Sequence, residues 1–150
     1  MIATLQDTNI LLRGAQPLHP QHQVTLDAQE ELRRRGDILC VVTQNFVEFR
    51  SVATRPLAVN GLGMSQQQVD AEIARLERLF PLFLEMPHIF AEWKRLTYQF
   101  GAQGKQNHDA RIVAAMLTHG IPRILTFNRE DFARYTEIEV LTPADVLSIS

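Results

Sequence analysis

The chain predicts an α/β protein, a three-layer α/β/α sandwich around a mostly parallel sheet. Two observations carry that expectation. Short apolar runs suited to strands alternate with longer segments whose apolar residues recur at helical spacing. Four acidic residues, Asp7, Glu48, Asp109 and Asp131, each fall where a strand-like run gives way to a helix-like one. In an open parallel sheet such junctions gather along one edge, where ligands bind.

The elements follow in order. Met1 to Leu5 is a short apolar start suited to a central strand, and Asp7-Thr8 can cap the helical turns of Asn9 to Arg13. The loop His19-Pro20-Gln21-His22 leads into a helix of about Gln23 to Arg35, which Gly36 stops. Ile38 to Val42 is the second strand; Thr43 then caps a helix that Pro56 ends near Arg55. After a loop over Leu57 to Gly63 comes the sharpest local signal. Ser65-Gln66-Gln67-Gln68 is a capping box, with Met64 and Val69 placed as a hydrophobic staple. The helix it opens carries Val69, Ile73, Leu76 and Phe80 on one face before Pro81. Leu82 to Met86 reads as a short strand, and Pro87 starts a helix with Ile89, Trp93, Leu96 and Phe100 as its stripe. A loop at Gly101-Ala102-Gln103-Gly104 precedes a helix from about His108 to His119, stopped by Gly120. Arg123 to Thr126 is a strand, Glu130 to Arg134 a short helix, and Glu137 to Leu141 a final strand. Thr142-Pro143 opens the last helix with a cap and a proline at its first position. With 150 residues and no repeat, linker or low-complexity segment, residues 1–150 are expected to form one domain.

Bulk properties exclude several functions. Hydrophobic residues make up 45% and charged residues 21% of the chain, which argues against disorder. No apolar run approaches membrane length and no leader-like segment opens the chain, so a cytoplasmic protein is expected. The lone Cys40 excludes an internal disulfide and lies in an apolar run, as a small core residue does. A net charge of −2 and a pI near 6.2 do not suit binding of nucleic acid by bulk electrostatics. A nucleic-acid substrate would then need local cations among Arg13, Arg50, Arg55, Lys105, Arg111, Arg123 and Arg129, most of which read as solvated surface.

Each acidic position has a plain alternative. Asp7 and Asp109 suit helix first turns, where the exposed N–H groups and the dipole favour a carboxylate. Asp131 beside Glu130 suits an ordinary surface turn. Glu48, among Phe46, Val47, Phe49 and Val52, is harder to dismiss, because a buried Glu needs a partner. The combination carries the weight. Carboxylates converging at one edge repel one another unless protonated or bridged by a divalent cation. An all-oxygen set favours Mg²⁺ or Mn²⁺, which points to metal-assisted attack on a phosphate ester. His19 and His22 have a metal-like spacing but no third ligand nearby, and the chain has no Gly-rich phosphate loop or GxSxG elbow.

These residues resemble a PIN-domain ribonuclease, and more narrowly a VapC-type toxin of prokaryotic toxin–antitoxin pairs. The resemblance spans nearly the whole chain. It rests on Asp7-Thr8-Asn9-Ile10-Leu11, on Glu48 in the helix after the second strand, on Asn107-His108-Asp109-Ala110 with Ala114-Ala115, and on Leu125-Thr126-Phe127-Asn128 through Asp131-Phe132. It implies about five parallel strands, Mg²⁺- or Mn²⁺-dependent hydrolysis of RNA phosphodiesters, homodimers, and inhibition by a cognate antitoxin. Asp7, Glu48 and Asp109 take the first three acidic roles. Many relatives carry Asp at the position of Asn128, whereas here the nearest carboxylate is Asp131. Asn9, Thr126, Asn128 and Arg111 are expected to support the carboxylates or the scissile phosphate. Two other classes compete: a PIN-like module that binds RNA or protein without cleaving, and a phosphatase or receiver-type protein using Asp7 as phospho-acceptor. The second lacks both an aspartate two residues after Asp7 and an obvious lysine near a strand end.

Overall fold

The computed structural model describes residues 1–148. Its strands are β1 (Ala3–Gln6), β2 (Ile38–Val42), β3 (Leu82–Phe83), β4 (Arg123–Leu125) and β5 (Glu139–Leu141). They form a five-stranded sheet in the order β3-β2-β1-β4-β5, and every pairing is parallel. The helices are α1 (Thr8–Gly14), α2 (His22–Arg34), α3 (Thr43–Thr54), α4 (Gln66–Leu79), α5 (His88–Phe100), α6 (Gln106–His119), α7 (Arg129–Phe132) and α8 (Pro143–Ser148). A single 3₁₀ turn, Leu57–Val59, bridges α3 and α4.

Period-2 alternation in the strands divides the core between the two faces of the sheet. Leu5, Cys40, Val42 and Ile124 pack on one side with Ile89 and Leu96 of α5, Ile112 and Met116 of α6, and Phe132 of α7. Leu39, Val41 and Leu125 pack on the other with residues of α1, α2, α3, α4 and α8, among them Ile10, Leu32, Phe49, Val69 and Leu76. This is the expected three-layer arrangement. From the sequence, the apolar stripes of α4 and α5 could together form a groove or dimer surface, or simply face the core. In the fold they serve opposite faces of the sheet, each as core.

Local signals explain most boundaries. Asp7 is the N-cap of α1, its Oδ1 accepting from the Thr8 N–H at 2.8 Å. The capping box of α4 is present in full: Ser65 Oγ accepts from the Gln68 N–H, and Gln68 Oε1 from the Ser65 N–H. At α3 the expected cap is corrected. Thr43 is the first helical residue and its Oγ1 is buried without a partner, while Asn45 Oδ1 accepts from the Val42 N–H at 2.9 Å. The strand expected over Leu82 to Met86 shrinks to two residues, because only Val41 and Val42 extend far enough to pair with it.

The acidic positions also need correction as a set. Asp7 follows a strand directly. Asp109 instead follows a helix–loop–helix connection, in the first turn of α6. Glu48 lies in the second turn of α3, and Asp131 within the short α7. They approach one region because α3 leaves the carboxyl end of β2, and because α6, running back toward the start of β4, has its N-terminus at that same edge.

Candidate functional site

The chain runs outward from β1 through β2 to β3, then returns to β4 and β5 on the other side of β1. That reversal places the topological switch point at the carboxyl ends of β1 and β4, where open α/β sheets form crevices. A cleft of about 840 Å³ opens there, lined by Asp7, Asn9, Glu48, Asp109, Arg111 and Asn128, with Gln44, Arg55 and Lys105 among its other walls.

Asp7 forms the floor. Its N–H donates to the Leu125 carbonyl at 2.9 Å, extending the β1–β4 ladder by one residue. Its Oδ2 accepts from Thr126 Oγ1 at 2.7 Å and from Asn9 Nδ2 at 3.2 Å. Thr126 is fully buried, and its hydroxyl in turn accepts from the Asn128 N–H at 3.0 Å. Burial raises the Asp7 carboxyl from 3.8 to about 6, against the Thr126 and Thr8 donors that favour its ionised form; the Glu48 charge adds to the rise and Lys105 opposes it.

Glu48 is tied to the same floor. Thr8 Oγ1 donates to Glu48 Oε1 at 2.9 Å, and Asn45 Nδ2 donates to that hydroxyl at 3.3 Å. Gln44 Nε2 reaches Glu48 Oε2 at 3.4 Å and the His108 carbonyl at 2.9 Å, so one amide links α3 to the start of α6. Arg111 Nη1 donates to Gln44 Oε1 at 2.9 Å, and its other nitrogen pairs with Glu85.

Asp109 is 8% exposed. Burial raises its carboxyl above the ordinary value; Lys105 pulls it back down, and the Asp131 and Glu48 charges push it up. Lys105 Nζ lies 3.1 and 3.3 Å from the two Asp109 oxygens and 3.1 Å from Asp131 Oδ2. Asp131 does not line the cleft, and it meets the cluster through this lysine.

Of the expected site residues, Asp7, Glu48, Asp109, Asn9, Asn128 and Arg111 surround one cleft, Thr126 supports it from below, and Asp131 stands at its rim. Three participants escaped the sequence reading, Thr8, Gln44 and Asn45, while Lys105, named there only as a local cation, proves to contact the carboxylates directly. The four-residue spacings Gln44–Glu48 and Lys105–Asp109 were a usable signal, since such pairs meet on a helix. Thr8 and Asn45 offered none. Lys105 also supplies the cation expected to be missing, although from a helix start and not a strand end. Of the other basic residues only Arg55 and Arg111 line the cleft. Arg123 instead pairs with Asp37 at 2.7 Å, at the opposite edge of the sheet, and Arg50 pairs with Asp70. Cys40 is buried, which pushes its thiol up to about 12 and excludes it as a nucleophile.

The carboxylate, hydroxyl and amide oxygens around Asp7, Glu48 and Asp109 are chemically suited to a hard divalent ion. Asp7 and Asp109 both feel the charge of Glu48, and an ammonium group already stands between Asp109 and Asp131. Among the described residues, no three His, Cys, Asp or Glu side chains are gathered closely enough to chelate an ion as they stand.

Residues 5–138 match the PIN domain family. The chain belongs to that family. No curated protein sequence matches it. Its fold is similar to that of VapBC2 from Rickettsia felis, solved bound to a promoter DNA fragment, with a TM-score of 0.69, 12% identity, and 94% of this chain and 98% of that one covered. FitAcB from Neisseria gonorrhoeae gives 0.65 at 19% identity, covering 96% and 99%. VapC20 from Mycobacterium tuberculosis, a Sarcin-Ricin loop cleaving toxin, gives 0.64 at 14%, covering 91% and 98%. The PIN domain thus supplies the sheet order and the cleft, and no described helix of it is long and apolar enough to cross a membrane.

Proposed function

We infer that this PIN domain is a divalent-metal-dependent endoribonuclease and the toxin of a toxin–antitoxin pair. The observation that carries this is the convergence of Asp7, Glu48 and Asp109, from three separate elements, on the cleft at the switch point. Among solved structures of the same fold, a toxin–antitoxin complex from Klebsiella pneumoniae supports the assignment of a cognate antitoxin; assembly as a homodimer is part of the same proposal.

Asp7 and Asp109 would hold Mg²⁺ or Mn²⁺, with Glu48 facing them across the cleft to hold a second ion or to orient the attacking water. Bound there, the ion would lower the pKa of water and offset negative charge at phosphorus. The remaining work belongs to the side chains. Thr126 and Asn9 fix the Asp7 carboxylate, so that its oxygens do not need to reorganise during the reaction. Thr8 fixes Glu48 in the same way. Arg111 and Arg55 supply positive charge along the cleft wall for the RNA backbone, which the overall charge of −2 does not provide.

The test is metal-dependent cleavage of a mixed RNA pool by purified protein, with Asp7→Asn and Asp109→Asn compared at matched folding. Each substitution should abolish cleavage while leaving the circular dichroism spectrum unchanged. Full activity in both variants refutes the assignment. Binding of RNA without cleavage by the unaltered protein would establish a non-catalytic PIN module instead.

A further inference from the structure

Lys105 has an unusual position for a mostly exposed lysine. It ends the loop before α6, and its ammonium touches both oxygens of buried Asp109 and one oxygen of Asp131. Its own side chain is 71% exposed, so leaving Asp109 requires no repacking. The loop it closes contains Gly101 and Gly104, both at positive φ, where glycine is the residue that adopts such backbone readily.

Resting on the reading of Asp109 as a metal-holding residue, we propose that Lys105 is a tethered counter-cation that competes with the divalent ion for Asp109. On ion binding it withdraws to Asp131 alone. An ammonium that spans both oxygens of the Asp109 carboxylate competes with a divalent ion for their lone pairs, and the two cations repel each other at that range. The charge of the metal-free site is thereby partly offset, and metal affinity is held below what the carboxylates alone would give. Asp131 then acts without touching the ion. It lies outside the cleft lining, and it retains the lysine that Asp109 gives up. The geometry thus assigns this carboxylate, the nearest to the fourth acidic position, to the lysine and not to the metal.

The test is calorimetric titration of metal-stripped protein with Mn²⁺. Lys105→Met should tighten binding on the order of ten-fold by removing a unit charge beside the ligand, and Lys105→Gln should do the same with a polar stem kept. Lys105→Arg, which keeps the charge, should stay close to the unaltered protein. Asp131→Asn should weaken Mn²⁺ binding several-fold, because the lysine then rests on Asp109 alone. In the Lys105→Met background the same Asp131→Asn change should have no effect, a non-additivity that identifies two residues acting as one unit. If Lys105→Met and Lys105→Gln bind Mn²⁺ no more tightly than the unaltered protein, or if Asp131→Asn weakens binding equally in both backgrounds, the competition is refuted. Loss of binding in Asp109→Asn together with a neutral Lys105→Met would refute this inference while sparing the nuclease assignment. Unchanged binding in Asp109→Asn would refute the assignment itself, and the competition with it.

Discussion

Replacing Asp7 with asparagine should abolish metal-dependent cleavage and, above pH 6, make the metal-free protein more stable. Burial lifts this carboxyl from 3.8 to about 6, so the native state holds a proton that the unfolded chain has released. Between those values the native state binds more protons, and stability therefore falls as pH rises. The full penalty on the ionised form is present above about pH 6 and corresponds to roughly 3 kcal/mol. Below about 3.8 both states are protonated and the penalty vanishes. Asparagine never carries the charge. It also gives up part of the Asp7 bonding: its oxygen can still accept from the Thr8 N–H, but its amide would face the Asn9 amide and the Thr126 hydroxyl that now donate to Oδ2. A lost bond of that kind costs about 1 kcal/mol, so the net gain at pH 8 should be about 1–2 kcal/mol, turning into a loss near pH 4. The assay is urea unfolding with EDTA from pH 4 to 8, followed by fluorescence of Trp93, the only tryptophan and a residue packed against the core. Titrating groups remote from Asp7 are common to both proteins and cancel in the difference, which leaves Asp7 and the charges coupled to it, Glu48 and Lys105. A variant less stable than its parent by the same amount at every pH would refute the claim that burial, and not bonding, controls this carboxyl.

Thr126→Val removes the 2.7 Å bond to Asp7 and strands the Asn128 N–H, which should cost about 1–3 kcal/mol in urea unfolding and sharply lower cleavage. Asn128→Asp adds a carboxylate to the cleft lining and should tighten Mn²⁺ binding in calorimetry; unchanged affinity would place residue 128 outside the metal's reach. Ser65→Ala breaks the α4 capping box, whose residues do not line the cleft, and should cost about 1 kcal/mol with cleavage unchanged. Phe49→Ala, fully buried on the helix that carries Glu48, should cost about 3–5 kcal/mol, readable as a lower urea midpoint.

The sequence by itself determined the layers and marked the main candidate positions. Continuous apolar runs such as Ile38–Val42 mark buried strands, and the Ser65 box and the Asp7 cap mark helix starts, because these signals depend on residues close together in the chain. Asp7, Glu48 and Asp109 were legible as candidates because carboxylates in apolar surroundings need a reason. The tertiary structure decided what periodicity cannot express. An apolar stripe says that a helix buries one face, not against which side of a sheet, so α4 and α5 looked like a pair and lie on opposite sides. The cap of α3 passed from Thr43 to Asn45 because the extended backbone at Val42 turns its N–H toward the side chain three residues on. The hydroxyl of Thr8 and the ammonium of Lys105 gained their roles from partners 40 and 26 residues away, Glu48 and Asp131. Such contacts leave no trace in local sequence, since only the folded chain brings those atoms within hydrogen-bond distance.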